Sequence, residues 1–346
     1  MSLADNPIRS EGSRHNESLW PVRKWLQKNN LAVRLKHAVK LSSTVFRVIA
    51  EDGGSSLVAK RMGPCQAHIE RLVLQKWLPR EGLAGLVPSL LGVEASSDAE
   101  GVWHLYEDLG LCSLTGSKSS ASFVEAAVRA LSSIHVQFAD KPVLAECRLF
   151  GRDLGAHFFA ASVRDAIRCL KAVPQPDLAR HAAMCDRLQR RLMHLWNELD
   201  GRTKMIAECS GPETLLHGDP TLENVFVFSR ADGIQVKFID WDHAGVGSAT
   251  FDLWTFAAEF PVAARPDICR CYFESIKDTG WPLPGHQEMR FLFETFELGR
   301  LANRLIWPAL VLADGIHVEW GFDELARVEH WFDSLQSLPK LAGRAI

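Results

Sequence analysis

Residues 215–228 read LLHGDPTLENVFVF, which sets His217, Asp219, Glu223 and Asn224 between two apolar runs. Runs of this kind read as short buried strands, so the polar residues between them belong to a loop held inside the fold. A third run, Val236, Phe238 and Ile239, leads to Asp240 in KFIDWDHAGVG, residues 237–247. The hairpin between, Ser229-Arg230-Ala231-Asp232-Gly233, brings Asp240 back beside the first loop, so Asp219, Asn224 and Asp240 are expected to converge. Asp and Asn oxygens suit Mg²⁺, a hard cation that keeps several waters and takes its remaining ligands from phosphates. A carboxylate not committed to the metal can orient and deprotonate an attacking hydroxyl. The pair Asp219 and Asn224, five positions apart, matches a loop in which the Asp accepts that proton and the Asn binds metal.

The elements that position these residues follow from periodicity. A helix is expected over Leu19–Lys28, then strands at Val45–Ile49 and Leu57–Ala59 joined by the turn Asp52-Gly53-Gly54. After Gly63-Pro64 the residues Ile69, Leu72, Val73, Leu74 and Leu78 mark one helix face, with Pro79 expected to end it. Two more strands, Val87–Val93 and Val102–Tyr106, complete a compact α+β unit over 19–108. Lys60 ends a strand and Glu70 lies early on the next helix, a pairing that lets the lysine reach the α/β-phosphates of a nucleotide. Leu109–Ser120, rich in Gly, Ser and Thr, is expected to link this unit to a helical remainder over 121–346. Helix-like patterns cover Phe123–Phe138, Arg152–Leu170, Leu178–Leu199, Phe251–Phe260, Asp267–Lys277, Gln287–Ile306 and Leu325–Leu335, with strands expected only at 214–240.

HGDPTLEN followed by IDWDHAG, after a small unit carrying VAK and HIE, resembles the aminoglycoside phosphotransferase and choline kinase group of the protein-kinase-like fold. The resemblance spans about residues 31–260. It implies a two-lobed α+β fold and an ATP- and Mg²⁺-dependent O-phosphotransferase acting on a small molecule, most like an aminoglycoside phosphotransferase. Choline or ethanolamine, homoserine and sugar kinases, and a non-catalytic nucleotide-binding protein of the same fold, are the alternatives. Asp219 is then the catalytic base, Asn224 and Asp240 the magnesium ligands, and Lys60 with Glu70 the phosphate-positioning pair. His217 is a structural member of the loop, and Asp252 braces it. Glu107 and Leu109 fall where the hinge meets adenine. The usual arginine before a protein kinase's catalytic Asp is replaced by Gly218, which favours a small-molecule acceptor. The phosphate-covering turn lacks glycine, so Ser42, Ser43 and Thr44 are expected to meet phosphate through hydroxyl and backbone N–H groups.

Charge and composition bound the rest. The chain has 346 residues and net charge −3, with 14 Lys/Arg against 12 Asp/Glu in 1–108 and 9 against 14 in 243–346. The acidic tail suggests a cationic acceptor, with Asp242, Glu274, Asp278, Glu294, Glu297, Asp314 and Glu319 as candidate contacts and Trp241, His243, Trp254, Trp307 and Trp320 as a candidate aromatic wall. A homoserine acceptor, bearing a carboxylate, would call instead for a basic region. No basic stripe points to nucleic acid, and no apolar run of 18 residues to a membrane span. Eight cysteines without a CxxC read as buried free thiols of a reducing cytosol, and residues 1–18, polar and without an apolar signal core, as a disordered lead-in.

Overall fold

In the computed structural model the described residues are 19–28, 35–50, 56–96, 100–115, 120–174, 181–231, 233–282 and 284–336. The expected lead-in, the turn at Asp52–Gly54 and residues 116–119 of the expected linker lie outside them. The described residues group into two compact units. The first comprises those up to Cys112 together with Lys237–Asp242, and the second those of 113–236 and from His243 onwards.

In the first unit, helix α1 (Trp20–Lys28) accompanies a five-stranded antiparallel sheet of β1 (Leu35–Lys40), β2 (Val45–Ala50), β3 (Ser56–Met62), β4 (Leu90–Ala95) and β5 (Val102–Glu107), in the order β1-β2-β3-β5-β4. Strand alternation sorts the two faces. Phe46, Val48, Leu57, Ala59, Trp103 and Leu105 pack with Leu19, Val22 and Leu26 into one core. Lys60 and its cross-strand partner His104, like Val58 and Tyr106, therefore point to the other face. That face is met by α2 (Pro64–Leu72), which buries Glu70.

The helical stretch that begins with α2 ends at Arg80, one residue past the Pro79 its sequence suggests, but it is not one regular helix. A π-helical turn, Val73–Trp77, intervenes, and the chain continues helically as α3 (Leu78–Arg80). The Leu78 N–H reaches back five residues to the Val73 carbonyl. Pro79 then enters in the first turn of α3, where its missing N–H is tolerated.

The second unit is mostly helical: α4 (Ala121–Phe138), α5 (Leu144–Phe150), α6 (Ala156–Ala172), α7 (Ala182–Asn197), α8 (Leu199–Cys209), α9 (Ala249–Ala258), α10 (Arg265–Ile276), α11 (His286–Ala313) and α12 (Val318–Gln336). Helix α11 packs chiefly on α6 and α12. Strands are not confined to 214–240. β6 (Arg152–Asp153) and β7 (Glu213–Leu216) flank β10 (Gly245–Ser248), parallel and antiparallel to it respectively, while β8 (Val225–Arg230) pairs with β9 (Gly233–Phe238). Arg152 is thus a strand residue rather than the start of a helix. Cysteines are not uniformly buried either: Cys65 and Cys112 are exposed, whereas Cys147, Cys185 and Cys269 are buried. No helix among the described residues is long and apolar enough to cross a membrane.

Candidate active site

Each unit gathers one set of the expected residues. In the first, the Lys60 ammonium is hydrogen-bonded to Asp240 Oδ1, lies 3.7 Å from Glu70 Oε2 and lies 4.0 Å from Asp242 Oδ2. Burial works against the lysine's charge, but the three carboxylates outweigh it and raise its pKa. Asp242 is pushed up to about 7 by burial first and then by the neighbouring Asp240 charge. Asp240 itself is held at φ 66°, a left-handed conformation that costs a non-glycine residue about 1–3 kcal/mol and clusters at functional positions.

Glu70 is anchored from the sheet. The Tyr106 hydroxyl donates to its Oε2 at 2.8 Å, and His104 Nδ1 lies 3.0 Å from that hydroxyl. Because the tyrosine commits its only proton to Glu70, His104 Nδ1 is the donor of the second bond. Burial alone would raise the Glu70 pKa, yet His104, the Lys60 charge and the Tyr106 hydrogen bond together hold it below the usual range.

Three carboxylates facing one ammonium leave an excess of hard oxygen donors, which suits Mg²⁺. Among the described residues no group of three or more Asp, Glu, His or Cys side chains is placed to hold a metal ion by itself. Magnesium does not require one, because it keeps waters and shares phosphate oxygens.

The nearby turns are also fixed. Thr44 N–H lies 3.4 Å from Ser42 Oγ, and Leu41 and Ser42 both donate to the Val45 carbonyl, so Ser42, Ser43 and Thr44 form a tight exposed turn. Glu107 accepts from Lys237 Nζ (2.7 Å) and from Ser89 N (2.9 Å), while its own N–H donates to Ser89 O. Asp108 accepts from Arg47, Ser56 and Gly110, which pins the turn holding the half-buried Leu109.

In the second unit the loop after β7 is organised by Asp252 on α9. This fully buried carboxylate accepts the His217 N–H at 2.6 Å and the Gly218 N–H at 3.0 Å. His135 Nε2 lies 3.4 Å from the same carboxylate, and the Tyr272 hydroxyl 2.7 Å from His135 Nδ1. Asp252 thus receives two successive loop amides from within α9, whose N-terminus is capped by Ser248. Beyond it, Asp219 N–H points to His217 Nδ1 at 3.3 Å. Asn224 Nδ2 donates to the Asp219 carbonyl at 3.0 Å and lies 3.5 Å from its carboxylate. Gly218 is required here. Its φ is +86°, and a Cβ would lie 2.2 Å from the His243 carbonyl oxygen, so the protein-kinase arginine has no room at this position.

Asp219 and His243 border a cavity of about 100 Å³ whose other polar walls are Arg152, Arg300, Asn303 and Arg304. Residues 36–292 match the family model of the phosphotransferase enzyme family. This chain belongs to that family. No curated protein matches it. Solved structures share its kinase-like fold at low identity. A choline/ethanolamine kinase family protein from Mesorhizobium loti is 18% identical, with TM-score 0.57 and 95% of each chain covered. An aminoglycoside phosphotransferase from Streptomyces rimosus, in complex with ADP and streptomycin, is 19% identical, with TM-score 0.51, over 80% of this chain and 98% of that one. Choline kinase from Streptococcus pneumoniae is 13% identical, with TM-score 0.56, over 91% and 98%.

For a phosphotransferase, the acceptor residues expected from sequence need correction. Trp241 is fully buried and donates its Nε1 hydrogen to the Phe238 carbonyl, so it is core and forms no acceptor wall. Asp242 belongs to the Lys60 cluster rather than to the cavity beside Asp219. Glu294 is bound by Arg202, and Glu297 by Trp254 and Arg300. Of the expected acceptor group only His243 lines the cavity. Sequence reasoning missed the buttresses His104, Tyr106, His135 and Tyr272, and the three arginines. Arg300 and Arg304, four apart on one helix, were the legible hint.

Two outcomes follow. Glu70 has a lowered folded pKa, so its contribution is complete above the ordinary glutamate range and is lost as pH falls through the folded value. Glu70→Gln should cost about 2 kcal/mol at pH 7 and progressively less as pH falls below the ordinary glutamate range, read from urea melts across pH. Gly218→Ala should cost about 2 kcal/mol or more in the same melts, because the new methyl meets backbone.

Proposed function

We propose that this phosphotransferase-family chain moves the γ-phosphoryl group of Mg-ATP to a hydroxyl of a small molecule. The observation that carries the reading is Asp219, half-buried on a cavity wall and set by a loop whose backbone is anchored on the buried Asp252. Asp219 takes the proton of the acceptor hydroxyl as its oxygen bonds to the γ-phosphorus. The bond from that phosphorus to the β–γ bridging oxygen breaks, and ADP leaves. Lys60, oriented by Glu70, places positive charge on the α/β-phosphates. The turn Ser42–Thr44 offers hydroxyl and N–H groups to the phosphates, and the Glu107–Leu109 turn borders the adenine. Asp240 and Asn224 would hold Mg²⁺, which when bound neutralises phosphate charge. Asn224 Nδ2 is committed to the Asp219 carbonyl, so the amide oxygen is the atom that would serve as a ligand.

A second reading, a nucleotide-binding protein without turnover, is favoured by the glycine-free turn. It is opposed by the retention of Lys60, Asp219, Asn224 and Asp240 together, since lost catalysis releases such residues from constraint. The acceptors of the neighbours, streptomycin in one complex and choline or ethanolamine by name in others, supply the first compounds to test.

Mg²⁺-dependent ADP release over a panel of hydroxyl compounds tests the reading. Asp219→Asn should lower kcat about 10²–10⁴-fold while ATP binding persists, and Lys60→Ala should instead raise the KM for ATP. ATP binding that yields no turnover with any hydroxyl compound would favour the second reading.

A further inference from the structure

The cavity beside Asp219 has the wrong charge for a cationic acceptor. Its walls carry three arginines and His243 against the single carboxylate of Asp219. Arg300 is partly neutralised by Glu297 at 3.3 Å. Arg152 and Arg304 have no carboxylate partner within 4 Å among the described residues. Of the nearby acidic side chains, Glu294 is engaged by Arg202 and Glu297 by Trp254 and Arg300, while Glu259, which feels the charges of Asp219 and Glu223, does not line the cavity, and neither does Glu223.

Arg304 is built to hold its charge in place. Its guanidinium sits 4.7 Å from the centroid of the Trp331 ring, which restrains the planar group. Arg300, one turn away on the same helix, adds like charge beside it, while Glu297, Asp219 and Glu259 act in the opposite sense. Arg152 approaches from a different element, strand β6, so the two planar forks reach the cavity from separate directions. Planar forks of this kind match carboxylate and phosphate oxygens in paired hydrogen bonds. Leu154, Phe158 and Phe251 add an apolar wall suited to a short carbon skeleton. A space of about 100 Å³ accommodates a carboxylate or phosphate group with a few carbons.

We propose that the acceptor is a small anionic hydroxy compound, whose carboxylate or phosphate is bound by Arg152 and Arg304 while its hydroxyl faces Asp219. This rests on the phosphotransferase reading for the role of Asp219, but the charge preference stands on the cavity itself. In the reaction the anionic group is a handle only. It places the hydroxyl and takes no part in the bonds that form and break.

Matched probes test it by calorimetry on the Mg-ADP complex: D-glycerate and sn-glycerol 3-phosphate, neutral glycerol, and cationic choline and streptomycin. At least one anionic probe should bind about tenfold or more tightly than glycerol, the effect of one good charge-assisted hydrogen bond, with choline and streptomycin no better than glycerol. Preference for glycerate or for the phosphate ester distinguishes the two anionic groups. Arg152→Gln and Arg304→Gln, both changes at exposed side chains, should remove that preference and leave ADP affinity and melting temperature unchanged. Tighter binding of a cationic probe, equal binding of anionic and neutral probes, or anion binding untouched by either variant would overturn the proposal. So would displacement of the anion by ATP but not by ADP, since the arginines would then be holding the γ-phosphate. Failure of the phosphotransferase reading looks different: anionic probes bind through the arginines, yet nucleotide does not bind or no hydroxyl compound stimulates ADP release.

Discussion

The buried carboxylate of Asp252 is the constraint on which the second unit's chemistry depends. It accepts consecutive backbone N–H groups, those of His217 and Gly218, and each bond to an ionised acceptor inside a dry environment is stronger than its neutral counterpart. Two successive amides pointing at one carboxylate leave the loop few ways to run. The next residue, Asp219, inherits its direction from that geometry. His135, itself in contact with the Tyr272 hydroxyl, adds a ring nitrogen 3.4 Å from the same carboxylate. A fixed acid inside α9 thus orients a second acid outside it.

The first unit solves a different problem with strand alternation. One face of β2, β3 and β5 is a hydrophobic core, and the period of two throws Lys60, His104 and Tyr106 onto the opposite side, where Glu70 waits on α2. The result is an acidic cluster around one ammonium. The second unit's cavity differs in sign, with three arginines and one carboxylate on its walls. Each set is electrically unfinished by itself. The first has carboxylates in excess, which a divalent cation would offset, and the second has more arginine charge than the one carboxylate on its wall balances.

Much of this was legible in the residues because it is local. The five-residue interval from Asp219 to Asn224 is the span of one loop, and VAK at a strand end needs only alternation to be placed. The family assignment and the kinase-like fold followed from those motifs. What escaped was assembled over distance or from elements too short to have a period. Strands Arg152–Asp153 and Gly245–Ser248 contain two and four residues, so no alternation announces them, and Arg152 was read into a helix. His135 and Tyr272 meet across 137 positions. The acidic character of the tail misled, because net charge counts carboxylates without showing that Glu294 and Glu297 already have partners. Trp241 misled for a related reason: beside Asp240 in sequence, its ring turns into the core.

The path of the chain adds a consequence for how the molecule comes into being. The first unit is not continuous; Lys237–Asp242 belongs to it although the preceding residues from Ser113 belong to the second. During synthesis the five-stranded sheet is complete once Glu107 has emerged, but Lys237, which grips Glu107 and the Val87 carbonyl, and Asp240, which grips Lys60, are still to be translated. Until then Lys60 and Glu70 face each other without their third partner. A nascent chain folding from its N-terminus therefore makes a sheet first and completes the Lys60 cluster only later, after five of the second unit's nine described helices have been translated.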